Sequence, residues 1–155
     1  MKLKKINQQL YKFSTEAIQT PFMKLLFTPS VLYNNIILKM EFTNLNTNLQ
    51  LQQCLESISN LEIEIFNEVS KISNKDLTLK SQIIQNKQYN PYLLAKVISK
   101  KTKFNFETQI HSSIYQNILT IPSSTLLKLN IYCDTVWITS QNQVIIKWKI
   151  KDLYS

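Results

Sequence analysis

Between residues 48 and 73 apolar side chains return at every third or fourth position. Leu51, Leu55, Ile58, Ile65, Val69 and Ile72 fall on one face, and Glu62 takes the one slot where another apolar residue is due. A period near 3.6 predicts an amphipathic helix laid on a sheet, with Asn46, Thr47 or Asn48 as its cap. After the Ser73-Asn74-Lys75-Asp76 turn the period falls to two, the spacing of half-buried strands. Leu77–Ile84 predicts a short strand. Residues 92–98 set Tyr92, Leu94, Lys96 and Ile98 against Leu93, Ala95 and Val97. Residues 103–110 set Phe104, Phe106, Thr108 and Ile110 against polar partners. In 126–138, Leu127, Leu129, Ile131 and Cys133 share one face, with Lys128, Asn130 and Tyr132 on the other. The final run sets Val144, Ile146, Trp148 and Ile150 against Ile145, Lys147, Lys149 and Lys151, and 139–143 joins the two runs as a hairpin loop.

Upstream of the helix, residues 31–43 predict a strand broken at Asn34-Asn35. Residues 2–27 carry a mixed pattern of Leu3, Ile6, Leu10, Phe13 and Ala17 between lysines, punctuated by Pro21 and Pro29, as in a helix or a basic arm. Several strands with one prominent helix give a β-rich α+β expectation: an OB-like antiparallel β-barrel with a basic, partly helical N-terminal segment. The segment is assigned to residues 1–30 and the OB-like domain to residues 31–155. A chain of 155 residues has room for that one core.

Composition narrows the chemistry. The chain has no glycine, and all 18 of its basic residues are lysine. Abundant Asn, Lys and Ile beside scarce Gly, Ala, Arg and Pro mark a very AT-rich gene. Without glycine there is no dinucleotide-binding loop, no P-loop and no nucleophile elbow, since each needs backbone at positive φ or hard against a ligand. Asn or Asp must occupy left-handed turn positions. His111 is the only histidine, and Cys54 and Cys133 are the only cysteines. No CxxC or HExxH spacing exists, so neither a metal site nor a cofactor is expected. Cys133 falls mid-strand, where thiols are commonly buried and inert, and His111 reads as an exposed loop residue. The expectation is a protein that is not an enzyme. No apolar run is long enough to span a bilayer, and MKLKKINQQLYKF has neither a long apolar stretch nor a small-residue cleavage site, so a cytoplasmic protein with no membrane partner is expected.

The formal net charge of +8 is unevenly held: +5 over residues 1–40, −5 over 41–70 and +8 over 71–155. Lysine excess in the strand-rich half points to a polyanion, nucleic acid before an anionic membrane surface, although AT-biased codons also supply solvated lysine. The polar strand faces mix ammonium groups with rings. Lys128 and Tyr132 share one, and Lys147, Lys149 and Lys151 lie on its hairpin partner. Tyr89, Tyr92 and Lys96 lie on or beside an earlier strand, and Lys100, Lys101 and Lys103 follow it. Unpaired nucleic acid calls for this mixture: ammonium groups follow phosphates and rings stack on bases. Without arginine there is no bidentate reading of guanine, so contact is expected to be non-specific and salt-sensitive. Trp148 and Phe104 read as core. Tyr92 and Tyr132 fit core or binding, and so does Trp137 beside the hairpin loop.

YNPYLLAKVISKKTKF (Tyr89–Phe104), LLKLNIYCDTVWI (Leu126–Ile138) and VIIKWKI (Val144–Ile150) resemble the single-stranded DNA-binding proteins of large cytoplasmic DNA viruses and of yeast cytoplasmic linear plasmids. Those share a Tyr-x-Pro-Tyr-Leu-x-x-Lys-Val element and a terminal hairpin with a Trp on one strand and a Trp-Lys pair on the next. The resemblance covers some 60–70 residues and implies an OB-fold that coats single strands during replication, with Tyr92, Lys96, Trp137 and Lys147–Lys149 on or near the binding face. Two departures stand out. Asp134, Thr135, Val144 and Ile145 occupy a region where relatives carry glycines, and KIKDLYS has one acid where some relatives end in an acidic tail. Single-stranded DNA is the expected partner, with RNA, replication proteins and homo-oligomerisation left open. The rival expectations are a structural RNA-binding component, such as an organellar ribosomal protein, and a virion or scaffold protein.

Overall fold

The computed structural model describes residues 2–32, 35–98 and 107–155. Strands β1 (Lys4–Lys5), β2 (Leu10–Lys12), β3 (Ile18–Gln19), β4 (Met23–Leu25), β5 (Ser30–Leu32) and β6 (Asn35–Glu41) precede the helix α1 (Leu49–Ile72). After it come β7 (Thr78–Leu79), β8 (Ile83–Ile84), β9 (Tyr92–Val97), β10 (Gln109–His111), β11 (Leu126–Tyr132), β12 (Thr135–Ile138), β13 (Gln143–Ile146) and β14 (Lys149–Tyr154).

The helix forms where the pattern places it. Asn48 caps it, its side-chain oxygen accepting from the Leu51 N–H at 3.1 Å, which satisfies one of the free amides of the first turn. Its buried stripe is Leu51, Cys54, Ile58, Glu62, Ile65 and Val69, while Ile72 is exposed. Glu62 sits in the apolar row as a fully hydrogen-bonded carboxylate. It accepts from Ser81 Oγ at 2.6 Å, from the Gln82 N–H at 3.0 Å and from Trp148 Nε1–H at 3.2 Å. Three donors make a buried charge tolerable, and they tie the helix to the β7–β8 link and to the last strands.

One sheet runs β10-β14-β11-β4-β6-β9-β8, and β14 also pairs with β9, so β14, β11, β4, β6 and β9 return on themselves as a ring. The OB-like expectation holds in this ring, though it is not a clean closed barrel. Its β9–β14 seam has two registered pairs, Lys149↔Lys96 and Ile150↔Val97. The seam is parallel, as are β10–β14 and β7–β13, so the arrangement is mixed and not purely antiparallel. The second sheet, β1-β2-β12-β13-β7, grows out of the first. β11 passes into β12 through Cys133-Asp134, and β13 into β14 through Lys147-Trp148. Each expected long strand is thus two strands bent across a corner, the device by which chains switch sheets. Trp148 is buried at that corner.

The N-terminal segment is strand and not helix. Tyr11 and Phe13 are buried two residues apart with Lys12 exposed between them. β2 finds an open edge in β12 (Lys12↔Thr135, Tyr11↔Val136, Leu10↔Trp137), and a ready edge outweighs a weak helical spacing. At left-handed positions stand Asn44 (φ 51°), Asn142 (φ 60°) and Ser124 (φ 70°). Asparagine replaces glycine at two of these, including the 139–143 hairpin loop, and serine at the third.

Candidate nucleic-acid interface

The pleat of β6 and β9 builds the candidate interface. Ile36, Leu38 and Met40 on β6, and Leu93, Ala95 and Val97 on β9, point inward and are buried. Their alternates form the outer face, in register as Ile37↔Lys96, Lys39↔Leu94 and Glu41↔Tyr92. Because β14 pairs with β9 on its far side, Lys149 stands opposite Lys96, and the Lys96 N–H donates to the Trp148 carbonyl at 2.8 Å. Lys147, in the corner just before Trp148, completes the rim. The result is a cleft of about 420 Å³ lined by Lys39, Lys96 and Lys147, with Val31, Ile37 and Leu94 as apolar wall.

Three lysines make the cleft electropositive. Desolvation, and then the charges of Lys147 and Lys149, lower the Lys96 pKa from its ordinary value. The second part of that lowering is repulsion among like charges, which an incoming anion relieves. Lys39 carries rings on either side, its Nζ 5.3 Å from the Phe27 centroid and 6.0 Å from that of Tyr92. Phe27 is 58% exposed, a large ring in water beside an ammonium. The one acid on this stretch, Glu41, accepts from Asn90 Nδ2–H at 2.9 Å. Tyr89 stands exposed in the neighbouring loop, over a shallow hollow shared with Lys87, Glu41 and Asn90.

The residues singled out in the sequence therefore separate into groups. Lys96, Lys147 and Lys149 gather at the β9–β14 seam. Tyr92 lies on the same face of β9, about 13 Å from Lys96 at 3.3 Å per residue, beside Lys39, with Tyr89 in the loop before it. Tyr132 pairs across β11 and β14 with Lys149, and burial, then Asp134 and Glu107, push its phenol pKa up. Lys149 is not a free cation: its Nζ donates to Asp134 Oδ1 at 2.6 Å. Lys128 lies opposite Tyr154 instead, about 13 Å along β11 from Tyr132 at 3.3 Å per residue. Trp137 is on the other sheet, between Leu10 and Ile145. Lys100, Lys101 and Lys103, with Phe104, lie outside the described residues.

Sequence reasoning missed Lys39 and Phe27. Lys39 was legible, because the alternation that buries Leu38 and Met40 sends it outward. Phe27 was not, since only tertiary packing brings it to Lys39. His111 departs from the loop expectation: it ends β10, its Nε2 lies 2.9 Å from Asp152 Oδ1, and its ring stacks on Tyr154. Cys133 is buried in the β11–β12 corner, and burial above all pushes its thiol up to about 12, while Cys54 is pushed up to about 11. Both thiols stay protonated at neutral pH, which removes the nucleophilic form. No helix among the described residues is long and apolar enough to cross a membrane.

The fold is shared with a solved protein. The crystal structure of gp2.5, a single-stranded DNA-binding protein encoded by bacteriophage T7, matches with a TM-score of 0.61 over 90% of this chain and 91% of that chain. Sequence identity is 9%, so the likeness is one of fold. No protein-family profile matches the chain, and no curated protein matches it in sequence.

Proposed function

We propose that this chain is a non-sequence-specific single-stranded DNA-binding protein that supports replication of an AT-rich viral or plasmid genome. The observation that carries the proposal is the cleft between β6, β9 and the β13–β14 corner, where Lys39, Lys96 and Lys147 meet over an apolar wall with Phe27 and Tyr92 at Lys39. Ammonium groups lining one cleft suit a phosphate backbone, and the rings suit unpaired bases, whose stacking is worth about 1–3 kcal/mol each. The shared fold with the phage protein supports the same class of ligand. Lysine as a point charge has no bidentate geometry with which to read base edges.

Fluorescence anisotropy with labelled oligothymidylate, a matched single-stranded RNA and a duplex tests this. Single-stranded DNA binding more tightly than duplex at equal salt is expected. Equal affinity for duplex would rule out stacking, and retention in a large ribosomal particle after nuclease treatment would favour a structural RNA-binding role.

A further inference from the structure

Around the ring from the cleft lies a second row of the same chemistry. Lys128 Nζ sits 5.4 Å from the Phe22 centroid and 5.4 Å from the Tyr154 centroid. Tyr154 in turn stacks on His111, with centroids 4.6 Å apart and planes 13° from parallel. Strand register explains the row: Lys128 stands opposite Tyr154 on β11 and β14, and His111 opposite Tyr154 on β10 and β14. Both ends face water, Phe22 being 49% exposed and the His111 side chain 47%. The acid beside it, Asp152, is occupied by His111 and by Asn130 Nδ2–H at 3.1 Å. Core packing accounts for neither exposed ring. The row repeats the pattern of Phe27, Lys39 and Tyr92, an ammonium between two rings. Phe22 and Phe27 are five residues apart on one segment, so their Cα atoms are at most about 18 Å apart.

We infer that His111, Tyr154, Lys128 and Phe22 form a second stacking platform, which takes a further stretch of the same single strand that enters the cleft. This rests on the function proposed above. The cleft then holds one part of the strand, β4 carries it past, and a base stacks on Phe22 while Lys128 meets a phosphate. Affinity should therefore grow with oligonucleotide length beyond what the cleft alone can cover.

The test titrates oligothymidylates of about 4 and about 16 nucleotides, the range covered by one module of this type, against wild type, Phe22→Ala, Phe22→Trp and Lys128→Gln. Phe22→Ala should weaken the long oligonucleotide about 5- to 100-fold and leave the short one unchanged, and Phe22→Trp should restore it. Lys128→Gln should reduce the magnitude of the log–log salt slope for the long oligonucleotide by about 0.7. Phe22→Ala binding both lengths as wild type does, or losing both equally while melting normally, would overturn the platform and leave the cleft standing. Should Phe22→Ala fail to fold, an unchanged salt slope in Lys128→Gln would overturn it. Wild type binding neither oligonucleotide would remove the proposed function and the platform with it.

Discussion

Glu62 shows how much one residue holds in this chain. Its carboxylate accepts from Ser81, Gln82 and Trp148, all of them donors. Glu62→Leu leaves the Gln82 N–H and Trp148 Nε1–H without their acceptor, and a buried group left without its partner costs about 1–3 kcal/mol. Urea denaturation should show that loss, and an unchanged midpoint would mean the network is not what joins helix to barrel. Lys96 governs a different property. Its lowered pKa means that rising pH discharges it before an ordinary lysine. The sign for stability is favourable, because the unfolded chain binds more protons between the two pKa values and so stability rises with pH there. The sign for binding is the opposite, since the anion needs the charged form. Oligonucleotide affinity should fall as pH climbs through the lowered pKa, and Lys96→Arg should remove that fall in titrations at constant ionic strength.

At the scale of elements, the bend through Lys147-Trp148 assigns neighbouring residues to different tasks. Lys147→Glu places a negative charge in the cleft but leaves Trp148 and Ile146 buried, so affinity should drop sharply with little change in melting. Lys149→Glu sets like charge against Asp134, which Lys149 now holds at 2.6 Å, so it should lower both. Paired thermal melts and oligothymidylate titrations separate the two. The bend also marks what the sequence could disclose. Helix α1 and the inward alternation of β6, β9 and β11 were legible because a single period runs the length of each. The corners at Cys133-Asp134 and Lys147-Trp148 were not, since the alternation Val144, Ile146, Trp148, Ile150 continues unbroken through the change of sheet. β2 was hidden for a related reason: three residues are too short for a period, and its place depends on the distant edge of β12. In the candidate site, Lys96 and Tyr92 could be found from alternation, whereas the company of Lys39, Phe27 and Lys147 is a product of register.

Over the whole molecule, charge and architecture run together. Glu56, Glu62, Glu64 and Glu68 lie on α1 with Lys71, while Lys24, Lys39, Lys96, Lys128, Lys149 and Lys151 lie on strands of the ring. The proposed surface is therefore on a different element from most of the acids of residues 41–70. Binding through this surface should be strongly salt-dependent. With four to six phosphates neutralised at about 0.7 each for a single strand, the log–log slope should lie near −3 to −4, and a flat salt titration would deny the lysines their role. The ring itself has a consequence in time. β14 is the last strand in chain order, yet it pairs with β11 and β9 and so joins the two ends of the ring. During vectorial synthesis β4, β6 and β9 are made long before this keystone. Until β14 emerges, β11 presents an unpaired edge and so does the Lys96–Val97 end of β9, beyond its pairing with β8, the kind of surface on which nascent chains misassociate. Cleft and closure therefore appear together: Lys147 and Trp148 come against Lys96 only when the ring is joined, and a nascent chain has no complete cleft before β14 arrives.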